Sequence, residues 1–336
     1  MRRRTFIAGL LVATAAGRAQ GQRGAKVYRI ARIYAATPVA EAIKAKNSQG
    51  SFTWFFYEEL SRLGFVEGQN LVVERYSAEG RTDQYSELAR DVVRSNPDLI
   101  FTDQNGVVLA LKAATTTIPI VGYTSDPVAN GIVSSLARPG GNITGVSVNA
   151  GPEISGKYVQ LLREAIPGVS TVGYLGWRGM WEQAEGAALQ EAARRVQISL
   201  IGPPLDYPLE AAEYRRVIAA MAQAGAQALI VHRTPSNYEN LQLIFELAEA
   251  GRLPAISPYA TEVGKLGGLL SYGPDVVEGV RHIANQIAQI LRGTNPGDIP
   301  FYQPTKFQLV VNLRTAKALG IEMPASLVAR ADEVIE

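Results

Sequence analysis

The sequence predicts an α/β protein made of two doubly wound parallel-sheet lobes. Three observations predict it. Short apolar runs alternate with amphipathic stretches from Tyr28 onward. The same order of runs occurs twice along the chain. Its 336 residues are 47% hydrophobic and 19% charged, a globular balance long enough for two domains. Strands separated by helix-length segments argue for parallel sheets covered by helices on both faces.

The elements follow in order. "YRIARIYA" is a strand, residues 51–63 a helix, "NLVVERY" a strand, 83–95 a helix, "DLIFTDQ" a strand, 106–115 a helix and "IPIVGYT" a strand. After 142–167 the plan repeats: "TVGYLGW", a helix at 181–195, "QISLIGP", a helix at 209–224, "ALIVHR", a helix at 237–250 and "LPAISPY". "TTTIPIVGY" and "AGRLPAISPY" each place Pro at a strand start, where its missing N–H is tolerated. Ligands of such sheets sit beyond the carboxyl ends of the strands. The loops to watch are therefore 34–38, 76–82, 102–106, 123–127, 177–181, 232–237, 257–261 and 272–275.

Residues 1–20 read as a targeting segment. "MRRRTF" is a charged start, "IAGLLVATAAG" an apolar run too short to span a bilayer, and "GRA" a small-residue cleavage site before Gln20. The run from Arg3 to Ile7 has the twin-arginine look, which we set ahead of an ordinary Sec signal. Export to the periplasm is the expectation, with the mature chain soluble there.

Composition excludes several chemistries. There is no cysteine, hence no disulfide, thiolate nucleophile or lipid-modified N-terminal cysteine. A net charge of +2 gives no basic face for nucleic acid. Two lone histidines, His232 and His282, make no metal site, and no cofactor is expected. "GPEISGK" at 151–157 fits most of a phosphate-binding loop, but Tyr158 stands where Ser or Thr should reach magnesium. Pro152 also removes a backbone donor, so Pro152 and Glu153 read as a helix start.

The predicted strand ends carry polar, aromatic and basic side chains, as a small-molecule cleft does. Gln104, Asn105, Tyr123, Ser125 and Asp126 lie on the first lobe's loops. Trp177, Arg178, His232, Arg233, Thr234, Tyr259 and Tyr272 lie on the second lobe's loops or its exit. Arg178 or Arg233 could take a carboxylate, and Asp103 or Asp126 could face an ammonium. The same two carboxylates leave an exported hydrolase as an alternative, and a ligand sensor feeding a membrane receptor is another.

The segment "IPIVGYTSDPVANGIVSSLARPGGNITGVSV" resembles the signature stretch of the ABC-transporter substrate-binding family that includes tryptophan-binding-like lipoproteins. "LSRLGFVEGQNLVVERYSAEG", "SGKYVQLLREAIPGVSTVGYL", "GGLLSYGPD" and the C-terminal "PTKFQLVVNLRTAKALGIEMPASLVARADEVIE" resemble it too. The resemblance spans residues 28–336. It implies a type I periplasmic-binding-protein fold whose lobes are joined by a three-crossover hinge. Residues 28–146 plus 272–302 would form lobe 1, and 147–271 plus 303–336 lobe 2. It further implies a monomer that closes on an amino acid, aromatic ones among those expected, or a related carboxylate. The solute would pass to an inner-membrane ABC permease served by a separate ATPase subunit. By position, Thr37 and Asn149 join the pocket. Two segments depart from the family pattern, a longer aromatic first loop and helix ("IYAATPVAEAIKAKNSQGSFTWFFYEEL") and "GWRGMW" in the second lobe. Both fall where ligand would be read.

Overall fold

The computed structural model describes residues 26–49, 51–148, 153–182, 184–206 and 209–336. The expected signal segment, Asn149 and the Gly151–Pro152 pair lie outside them.

The first sheet contains β1 (Tyr28–Tyr34), β2 (Leu71–Ser77), β3 (Leu99–Thr102), β4 (Ile120–Thr124) and β5 (Ile143–Ser147). Its order is β2-β1-β3-β4-β5, parallel throughout. The second contains β6 (Thr171–Leu175), β7 (Ser199–Ile201), β8 (Ala228–Val231), β9 (Ala255–Ser257), β10 (Leu270–Pro274), β11 (Phe307–Asn312) and β12 (Glu333–Ile335). Its order is β12-β11-β10-β9-β8-β6-β7. Read from β7, the first five strands repeat the order of the first sheet, so the internal repeat seen in sequence is a repeat of topology. One pair, β10 with β11, is antiparallel, a departure from an all-parallel second lobe.

Helices cover both faces, which is why the central strands are apolar without alternation. Ile30, Leu99, Ile100, Phe101, Ile120 and Val121 are fully buried in the first lobe, as are Leu229, Ile230 and Val231 in the second. Phe56, from helix Phe52–Arg62, stacks on Phe101 at 4.8 Å. A short helix, Val39–Lys46, precedes it within the longer first loop.

The chain passes between the sheets three times: after β5, at Asp275, and between Tyr302 and β11. Residues 272–274, expected on lobe 1, instead pair with 307–309 in the second sheet, so the second passage falls after Pro274. Helix Val276–Leu291 then packs on the first lobe, with Val280, Ile283 and Ile287 in its core. The second and third passages are tied together by a single carboxylate. Asp275 caps the helix by accepting from Val277 and Glu278 N–H, and its other oxygen receives Lys306 Nζ at 3.0 Å. Tyr302 extends the first sheet beside Val146. Residues 153–165 form a helix, including the Gly156–Lys157 pair of the phosphate-loop-like motif. Lys157 there lies over the Tyr272 ring at 5.9 Å and donates to Gln160.

Candidate functional site

In each sheet the strand order reverses between two central strands, β1 and β3 in the first and β6 and β8 in the second. Loops diverge there and leave a crevice outside the carboxyl ends. Each crevice holds one polar pair that spans the reversal. In the first lobe Arg32 of β1 donates to Asp103, just past β3, at 2.6 Å. In the second, His232, just past β8, shares a 2.7 Å hydrogen bond through Nδ1 with the hydroxyl of Tyr174 on β6.

The lobes meet across the cleft at Tyr123 and Arg233. Burial raises the Tyr123 phenol pKa, and the adjacent Arg233 guanidinium opposes that shift by its charge and a hydrogen bond. Phe52, at the start of its helix, sits 5.3 Å from the Tyr123 ring, and a Cβ on Gly279 would lie 3.3 Å from it. The aromatic first segment therefore supplies one wall beside Tyr123. Arg233 also lies 5.8 Å from the Tyr259 ring centre. Its Nη1 is buried without a hydrogen-bond partner. Buried and equally unpartnered are the hydroxyls of Tyr34, Thr102 and Thr124, the last residues of β1, β3 and β4. Buried polar atoms are nearly always paired, so orphans gathered at strand ends mark where a polar ligand would be received.

Most of the other sequence candidates have local partners. Asn105 and Ser125 bond each other, Nδ2 to Oγ at 2.7 Å and Ser125 N–H to Oδ1 at 3.0 Å, tying together the loops after β3 and β4. Asp126 accepts from Val128 and Ala129 N–H and organises the turn that follows. Gln104 precedes helix Asn105–Ala114 and accepts the Val108 N–H through its backbone. Thr37 is exposed in the loop after β1. Tyr259 braces the β8 loop, accepting from Thr234 N–H at 3.0 Å and donating to Thr234 C=O at 2.8 Å.

Trp177 packs on the second lobe's own core, its ring over Gly179. Arg178 is exposed and paired with Asp206. Tyr272 stacks on Phe307 at 5.6 Å. These three are thus held by their own lobe rather than gathered around Arg233. Residues that sequence reading left out of the pocket are Arg32, Tyr34, Tyr174 and Trp181. A charged residue between the apolar Ala31 and Ile33 of a central strand was the available signal for Arg32. Trp181, edge-on to Tyr174 at 5.0 Å, has its indole N–H buried without a partner.

His232 is held neutral. Burial, with the Arg233 charge second, lowers its pKa from 6.5 to about 4. Between these values the unfolded chain binds the proton and the native state resists it. The stabilisation is therefore complete above pH 6.5 and lost as pH falls toward 4. We expect His232→Gln to flatten the acid limb of stability in that window, by up to about 3 kcal/mol. Urea unfolding of both chains at pH 7, 5.5 and 4.5 would check this, and parallel losses would contradict it.

Comparison with known proteins is consistent with this layout. A family model described as ABC transporter substrate binding protein matches residues 52–335. A tyrosine-binding protein of Clostridioides difficile (strain R20291) is 24% identical over 272 residues, 80% of this chain and 76% of its own. Among solved structures, a conserved domain protein of Vibrio cholerae superposes with TM-score 0.78 at 25% identity, covering 92% of this chain and 100% of that one. An ABC domain of Streptococcus pneumoniae in complex with L-Trp gives 0.77 at 20% identity, with the same coverage.

Proposed function

The chain belongs to the ABC transporter substrate binding protein family, and on that premise we propose that it is the extracytoplasmic solute-binding component of an importer. It captures an amino acid, aromatic ones foremost, or a related carboxylate between its lobes, and hands it to an inner-membrane permease with a separate ATPase. It works in the periplasm as a monomer without catalysis. The observation that carries the reading is Arg233, a half-buried arginine whose Nη1 is itself buried and unpartnered, at the meeting of the two lobes. A ligand carboxylate there would satisfy the donor and bridge the lobes, shifting the open–closed population toward closed. The Clostridioides relative's name and the L-Trp complex favour an amino acid. No helix among the described residues is long and apolar enough to cross a membrane.

Hydrolysis is less well supported. At neutral pH His232 is uncharged and a weak base, and its Nδ1 is engaged by Tyr174. Asp126 organises a turn and Asp103 holds an arginine.

Thermal unfolding of the mature chain against a panel of amino acids and aromatic acids tests the proposal. A ligand at a hundredfold excess over its Kd adds about 2.7 kcal/mol to folding stability, so the midpoint must rise with concentration. A flat response across the panel would sink the reading.

A further inference from the structure

The Arg32–Asp103 pair lies at the place in the first sheet where ligands are received, yet a carboxylate ligand makes no use of it. Arg32 is 2% exposed and anchored by groups other than Asp103. Its Nη1 donates to Ile33 C=O at 3.0 Å, and its guanidinium lies 4.4 Å from the Tyr34 ring centre and 4.1 Å from that of Phe101. Such a planar cation, clamped by two rings and a carbonyl, holds its position independently of its ion partner. Asp103 stands at its outer end with a side chain 34% exposed, and only Oδ2 serves the arginine.

Asp103 follows directly on the carboxyl end of β3, in the first lobe's crevice, and its other oxygen has no hydrogen bond to the arginine. Its negative charge is felt at Tyr123 and Tyr85 of the first lobe and at Tyr238 of the second, raising each phenol pKa behind the larger effect of burial. Tyr123 thus lies within reach of both an anion, Asp103, from its own lobe and a cation, Arg233, from the other. An α-amino acid carries the complementary pair of charges on one carbon.

From this juxtaposition we infer that Asp103 receives the ligand's ammonium group, opposite a carboxylate on Arg233, and that Arg32 is a positioning residue that aims Asp103 into the cleft. The inference rests on the amino-acid reading above and narrows it: the cleft selects zwitterions over simple carboxylates. Arg32 touches no ligand and acts by fixing one carboxylate oxygen so that the other is presented without rotamer freedom.

The test is calorimetric titration of the full mature chain with L-tyrosine, L-tryptophan and L-leucine. Each amino acid that binds is then compared with its des-amino counterpart, 3-(4-hydroxyphenyl)propionate for tyrosine. A charge-assisted hydrogen bond is worth about ten- to a hundredfold in affinity, so the des-amino compound should bind weaker by that factor. In Asp103→Asn the two compounds should bind within a fewfold of each other, the amino acid alone having weakened. Arg32→Met should narrow the same ratio, and Asp103→Glu should restore part of it. A structural role for the pair would lower both affinities together and leave the ratio unchanged. If the wild-type chain binds amino acid and des-amino compound equally, the inference falls while the carboxylate reading stands. If it binds none of the amino acids, both fall. Should Arg32→Met fail to fold, Asp103→Asn alone decides.

Discussion

Arg233→Ala is expected to weaken capture of the bound solute by about a hundredfold or more while leaving the ligand-free protein as stable as before. The first half follows from truncating one partner of a desolvated charge pair, which costs roughly 2–5 kcal/mol of binding. The second follows from the orphaned donor. A buried N–H without a partner costs roughly 1–3 kcal/mol in the unliganded state, and Arg233 Nη1 is such a donor. Its removal offsets the lost contact with the Tyr259 ring, worth about 0.5–1 kcal/mol, and the lost hydrogen bond to the Tyr123 hydroxyl, worth about 1 kcal/mol. Thermal melts with and without a ligand found in the panel would separate the two terms. A variant that is strongly destabilised without ligand, or one that binds like wild type, would show that Arg233 is a packing residue instead.

The second large effect concerns folding. Gly145→Ala should destabilise the first lobe by about 4 kcal/mol or more, the range reserved for named steric or cavity defects. A Cβ at Gly145 would lie 1.9 Å from the carbonyl oxygen of Gly122 and 2.7 Å from its N and C. Gly122 is its registered partner on β4, so the obstacle is backbone inside a sheet and cannot rotate away. The Gly145 carbonyl also accepts from Gln286 Nε2 and Tyr302 N–H, both at 2.9 Å, so a shift there would loosen the hinge helix and the edge segment. Gly156→Ala, 11 residues on, is the control: its nearest neighbour would be 3.9 Å away, inside a helix. There alanine should stabilise by up to about 1 kcal/mol. Denaturant unfolding of both variants decides, and a Gly145→Ala protein with wild-type stability would contradict the packing described for β4 and β5.

Much of the lobe architecture could be read from the chain because it depends on local patterns. Strands buried on both faces must be apolar throughout, and "DLIFT" and "ALIV" are. Helix Val276–Leu291 likewise opens on a local signal, Asp275 as its cap. The antiparallel β11 was not anticipated, since nothing in "FQLVVN" encodes its direction relative to β10. The short helix Val39–Lys46 escaped because its apolar face is small and leaves Ile43 exposed.

The site divides along the same line. Arg233, His232 and Tyr123 were singled out because strand ends are where such folds place ligands, a rule that needs only strand positions. Trp177 and Arg178 met the same rule, but one packs on its own lobe and the other pairs with Asp206 across a loop. Arg32 was passed over because a strand interior gives no sign of which neighbour will lie beside it. Strand order placed β3 next to β1 and thereby put Asp103 within 2.6 Å of a guanidinium 71 residues earlier. Periodicity and composition therefore sufficed for the repeat, the sheets and the ends of the strands, because those are set by neighbours in the chain. Which charged groups face one another across the cleft was settled only by folding, because pairing between strands and between lobes joins residues whose sequence separation carries no local signal.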